Sequence, residues 1–89
     1  MSQKNKYCIY LLECRDGTYY CGITTDMVAR LRQHNAGTAA KYTRGRTPVK
    51  VLVQTSNCYS KNIALKLEHT IKKLSKKRKP HMVATISKT

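Results

Sequence analysis

Apolar and polar positions change period several times along the chain, and each change marks a new element. From Tyr7 to Cys14 the run YCIYLLEC is apolar, aromatic and β-branched almost throughout, then meets Arg15-Asp16-Gly17. A short run of that kind ended by a turn signal predicts a strand, and Thr18–Thr24 predicts its hairpin partner. Thr24-Thr25-Asp26 supplies N-cap side chains for a helix over MVARLRQHN, with Met27, Val28 and Leu31 on one face and Gly37 as its C′ residue. Thr38–Thr47 reads as a basic loop holding Gly45 and closed by Pro48, and VKVLVQT (49–55) as a third strand. Ser60 caps a second helix, in which Ile63, Leu67, Ile71 and Leu74 recur at helical spacing. The run KKLSKKRK (72–79) ends that helix and Pro80 stops it. HMVATISKT is read as either a last short helix or a frayed end. The order β-β-α-β-α predicts an α+β fold, a three-stranded antiparallel sheet flanked by helices, in one domain over residues 1–89.

The hairpin admits two registers. A two-residue Asp16-Gly17 loop pairs Tyr10 with Ile23 and puts Tyr20 on the opposite face. A three-residue Arg15-Asp16-Gly17 loop, with Gly17 in the left-handed region, pairs Cys14 with Thr18, Leu12 with Tyr20 and Tyr10 with Gly22. The second register is the expected one. It places Tyr10 and Tyr20 on one face, with Gly22 leaving an open space beside the Tyr10 hydroxyl for a ligand, or else marking a simple bulge.

Composition then narrows the function. Eighteen Lys and Arg against 4 Asp and Glu give a net charge of +14. A single-sign field of that size calls for a polyanion, and nucleic acid is the commonest. Lys41, Arg44, Arg46 and Lys50 in the basic loop, and Lys72, Lys73, Lys76, Lys77, Arg78 and Lys79 in the second run, form the expected phosphate-contacting surface. No apolar stretch approaches the ~20 residues that span a bilayer, and MSQKNKYC has no secretory apolar segment. The expected location is therefore cytoplasmic, and the four cysteines (Cys8, Cys14, Cys21, Cys58) are expected as free thiols rather than a zinc site. With no Trp or Phe, tyrosine and the aliphatic residues must fill the core.

Tyr10 within CIY, Tyr20 and Gly22 within YCG, then RLRQHN with Arg30 and His34, KYTRGRTPVK, and ALKLE with Glu68 follow one another in an order that resembles the GIY-YIG nuclease superfamily, its small bacterial members in particular. The resemblance spans about residues 7–79. It implies phosphodiester hydrolysis with one divalent metal, magnesium or manganese. By position, it makes Tyr10 the tyrosine near the attacking water and the candidate general base, and Tyr20 a support for water or phosphate. Arg30 neutralises charge on the phosphate, His34 assists proton transfer and Glu68 holds the metal. Chemistry agrees, because hydrolysis needs an activated water, a cation for the phosphorane charge and a proton source. Arg30 and His34, four apart, project from one helical face.

The chain departs from the family pattern at Cys8 and Cys21, at Ile23 where some members carry lysine, and in having no late asparagine after Glu68. The expected activity is a metal-dependent endonuclease on DNA rather than RNA, with branched or damaged structures as candidate substrates. The alternative is a non-catalytic nucleic-acid-binding module, and a weaker one is a basic protein partner that delivers another nuclease. Each named residue also has a plain structural reading: strand packing for Tyr10 and Tyr20, a helix-terminal cation for His34, a solvated arginine for Arg30, and an ion pair with Lys72 for Glu68. Tyr42, between Lys41 and Arg44, is either a plain loop residue or a base-stacking one. Tyr7, Tyr19, Tyr59, His69 and His81 receive no role.

Overall fold

The computed structural model describes residues 6–87. Its elements are β1 (Cys8–Glu13), β2 (Tyr19–Thr24), α1 (Met27–Asn35), α2 (Lys41–Arg44), β3 (Lys50–Gln54), α3 (Lys61–Lys72) and α4 (Arg78–Ile86). The three strands form one antiparallel sheet in the order β2-β1-β3. The chain is thus α+β with a three-stranded antiparallel sheet flanked by helices.

The hairpin takes the three-residue turn. Tyr10 stands opposite Gly22 and Leu12 opposite Tyr20. Cys14 N–H donates to the Thr18 carbonyl at 2.8 Å, and Gly17 has φ of 83°, a conformation that favours glycine. Asp16 fixes the turn by accepting from the Thr18 N–H and hydroxyl.

β1 is the central strand and is covered on both faces, which explains its nearly unbroken apolar sequence. Ile9 and Leu11 point to one side, into a core with Cys21, Ala64 and Ile71 of α3, and Val83 of α4. Tyr10, Leu12 and Cys14 point to the other, against Val49, Tyr20, and Met27 and Leu31 of α1.

Several expectations change in detail. Val28 is 70% exposed, because positions 27, 31 and 34 carry the buried face of α1 and His34 completes it. Ile63 is also exposed. Ala64, Leu67 and Ile71 form the inner face of α3, since the small Ala64 lets the helix sit close to the sheet. The basic run does not end one helix at Pro80. α3 stops at Lys72, and Pro80 lies in the first turn of α4, where a missing N–H costs nothing. The segment read as a loop contains the short helix α2. HMVATISKT continues α4 to Ile86, with its last residues, 88–89, outside the described part.

Candidate active site

The hairpin register brings two phenols onto the α1 side of the sheet. Tyr10 is 2% exposed and Tyr20 half-buried, with ring centroids 6.5 Å apart. Gly22 does not leave an open space for a ligand. A Cβ there would meet the Tyr10 hydroxyl and lie 2.6 Å from its Cζ, so the Tyr10 ring itself occupies the room that glycine provides. The close approach expected at Gly22 is real, but it is an intramolecular one.

Asp26 caps α1 by accepting from the Ala29 N–H, and the third position of the helix's buried face delivers His34 to Tyr10. The Tyr10 hydroxyl and His34 Nε2 are 2.9 Å apart, and the His34 ring stands edge-on 5.2 Å from Tyr20. On its other side, His34 Nδ1 lies 2.9 Å from Thr43 Oγ1, contributed by α2. Thr43 is fully buried and its hydroxyl donates to the Ala40 carbonyl at 3.2 Å. That last bond favours one direction for the others. Thr43 has spent its proton on Ala40, so it accepts from His34 Nδ1–H. Nε2 is then the bare nitrogen, and the Tyr10 hydroxyl donates to it.

Electrostatics keeps the ring neutral, as that assignment requires. Burial, and secondarily the Arg30 charge, push the His34 imidazole below its ordinary value, so the ring is neutral at pH 7. Burial pushes the Tyr10 phenol up. Tyr20, Cys21 and Glu68 add to this, and Arg30 opposes it. Tyr10 is therefore a poor phenolate but a well-placed proton donor to His34. Arg30 acts on both partners from the α1 surface. Cys21, pushed up to about 12 by burial and then by Glu68, is an inert thiol.

Glu68 reaches this region from α3. Its side chain is 17% exposed and pairs with Lys72 Nζ at 3.3 Å. Lys72 Nζ in turn lies 5.6 Å from the Tyr20 ring centroid. Among the described residues, no three His, Cys, Asp or Glu side chains gather into a metal cage. A single carboxylate suits a magnesium-type cation, which keeps several waters and is commonly bound through one or two carboxylates. It does not suit zinc.

The basic residues divide into two groups. Lys41, Arg44, Lys73, Lys77 and Arg78 are exposed. Others are engaged within the chain. Arg46 donates to Asp16 at 3.0 Å and to the Tyr42 carbonyl at 2.7 Å, with its guanidinium 4.2 Å from the Tyr42 ring centroid. Lys50 lies 3.6 Å from Glu13, Lys76 sits over Tyr19, and Lys79 donates to the Leu74 carbonyl.

Tyr10, Tyr20 and His34 meet directly, with Arg30 and Glu68 within electrostatic reach. Sequence reasoning missed Thr43. It lies in a segment read as phosphate-contacting loop, and no local pattern distinguishes it from any other loop threonine. Residues 6–81 match the family model described as GIY-YIG catalytic domain. A relative named a UPF0213 protein, from Halobacterium salinarum, is 54% identical over 71 residues, 80% of this chain and 91% of that one. The solution NMR structure of a protein from E. faecalis matches with a TM-score of 0.63 at 36% identity, covering all of this chain and 94% of that one. That of a UPF0213 protein from Bacillus halodurans matches at 0.53 and 39%, covering 90% and 84%.

Proposed function

The chain belongs to the GIY-YIG family, and from that premise we propose that it is a metal-dependent endonuclease that hydrolyses DNA phosphodiesters. The observation that carries this reading is the buried chain Tyr10–His34–Thr43 beside Tyr20, with Arg30 and Glu68 at its margins. A water at the site gives a proton to the Tyr10 oxygen as Tyr10 passes its own to His34 Nε2. No free phenolate has to form, which burial of Tyr10 would oppose. The imidazolium keeps its Nδ1–H on Thr43, and the hydroxide left behind attacks phosphorus as the bond to the leaving oxygen breaks and that oxygen takes a proton from solvent. Tyr20, half-buried, orients the water or the phosphate, and the Arg30 guanidinium neutralises the growing charge. Glu68 would hold magnesium or manganese, which supplies further charge neutralisation on the phosphate and leaving oxygen. Lys41, Arg44, Lys73, Lys77 and Arg78 position the strand.

One contact favours a second reading. Lys72 already holds Glu68 at 3.3 Å, as a non-catalytic nucleic-acid-binding module would allow. Cleavage of end-labelled single strands, duplexes, flaps and branched junctions, with magnesium or manganese, separates the two. The nuclease reading expects cutting that falls about 1,000-fold or more in Glu68→Ala, the scale of several kcal/mol of charge stabilisation. Binding that weakens steeply with salt, and no cutting of any DNA, would leave the binding module.

A further inference from the structure

A second aromatic feature lies one ring away from the Tyr10–His34 pair. Thr18, Tyr19, Tyr42, Lys76 and Lys79 line a cavity of about 230 Å³ beside β2. Tyr42 is 39% exposed, yet its ring is held by two neighbours, Tyr20 at 5.8 Å and the Arg46 guanidinium at 4.2 Å. Tyr19 has the Lys76 ammonium 4.7 Å from its ring centroid, and Lys79 is steadied by the Leu74 carbonyl. The cleft therefore sets two partly exposed tyrosine rings, each with a cation over one face, beside two ammonium groups. Aromatic faces stack on bases of any sequence, and the cations suit the sugar-phosphate that a base brings with it. The cavity is smaller than the roughly 300–1,000 Å³ of drug-sized sites, so it has room for one ring system rather than a base pair. Tyr20 bridges the two places, with ring centroids 5.8 Å from Tyr42 and 5.2 Å from His34.

We propose that the Tyr19–Tyr42 cleft receives the base of an unpaired nucleotide adjoining the phosphate that Tyr20 contacts. This deepens, and rests on, the nucleic-acid part of the function proposed above. A base can enter only by leaving its stack, so the substrate class it selects is single-stranded or locally unpaired nucleic acid. The basic surface alone does not require this, because phosphate contacts do not distinguish a base from its absence.

The test measures binding in EDTA, where no metal-dependent cutting occurs. Labelled oligothymidylate is compared with an abasic oligonucleotide of equal length. The wild type is expected to prefer the base-bearing strand. Tyr42→Ala should weaken oligothymidylate binding about 5- to 150-fold and leave abasic binding unchanged. Tyr42→Phe, which keeps the ring, should retain the preference. Tyr42→Leu, which fills the space without a π face, should lose it, so a folding defect in the alanine variant does not decide the matter. Equal binding of both strands by the wild type overturns the cleft. So does a Tyr42→Ala variant that keeps the preference, or one that weakens both strands alike. Base preference in EDTA without cutting in magnesium would keep the cleft and remove only the nuclease reading.

Discussion

At the scale of single residues, the direction of one proton depends on Thr43. Its hydroxyl accepts from His34 Nδ1 because it donates to Ala40, and this leaves Nε2 free to accept from Tyr10. Thr43→Val keeps the shape and removes the acceptor. It is expected to destabilise the fold by about 1–3 kcal/mol in denaturant unfolding, the cost of an unpaired buried donor. It should also let the His34 proton move to Nε2, reversing the bond with Tyr10. Nitrogen chemical shifts of the His34 ring report that change directly, and Thr43→Ser should restore the original pattern. A wild-type ring protonated on Nε2 would overturn the assignment.

At the scale of elements, the β1–β2 hairpin decides whether the two phenols meet. The turn Arg15-Asp16-Gly17 was legible because Asp-Gly chemistry and the left-handed preference of Gly17 are local. The register followed from it, and with it the pairing of Tyr10 with Gly22. The use of that pairing was not legible. A glycine opposite a tyrosine suits a ligand or the tyrosine's own ring equally well, and only packing by α1 and His34 selects the second. Gly22→Ala must displace a largely buried phenol bonded to His34, not the loose end of a surface chain. The expected cost is about 1–3 kcal/mol, a fall in Tm of roughly 4–8 °C per kcal/mol for a domain of this size. An unchanged thermal midpoint would show that the ring has somewhere else to go.

At the scale of the whole molecule, His34 links stability to pH. Its imidazole is buried, with its pKa held below the ordinary value of about 6.5 by burial and by Arg30. In the unfolded chain it protonates at that ordinary value. Between the two, the unfolded state binds a proton that the folded state refuses, so stability falls as pH drops through that window and is fully present above it. Unfolding followed between pH 8 and 5 should show this decline, and His34→Gln should flatten it near the ordinary histidine range. Exposed carboxylates such as Asp16, whose pKa is lowered first by the Thr18 hydroxyl, act further into acid. The net charge of +14 belongs to this scale too. It points to a polyanion, whereas the division between free and engaged cations required the folded contacts of Arg46, Lys72, Lys76 and Lys79.

The sequence by itself determined the elements that local chemistry governs. These are the first apolar strand, the three-residue turn, a cap for α1 among Thr24, Thr25 and Asp26, the Ser60 cap, and the ordered residues Tyr10, Tyr20, Arg30, His34 and Glu68. Caps, turns and periodicity act over a few residues, so they can be read from a short stretch. Tertiary structure alone decided which faces those elements bury and what they bring together. Tyr10 and His34 are 24 residues apart, and His34 and Thr43 are 9 apart on separate helices. Their meeting depends on how α1 and α2 pack against the sheet. Long-range packing sets the outward turn of Val28 and Ile63, the burial of Thr43 and the occupation of the Gly22 space, because each reflects what lies opposite in space and not what lies adjacent in the chain.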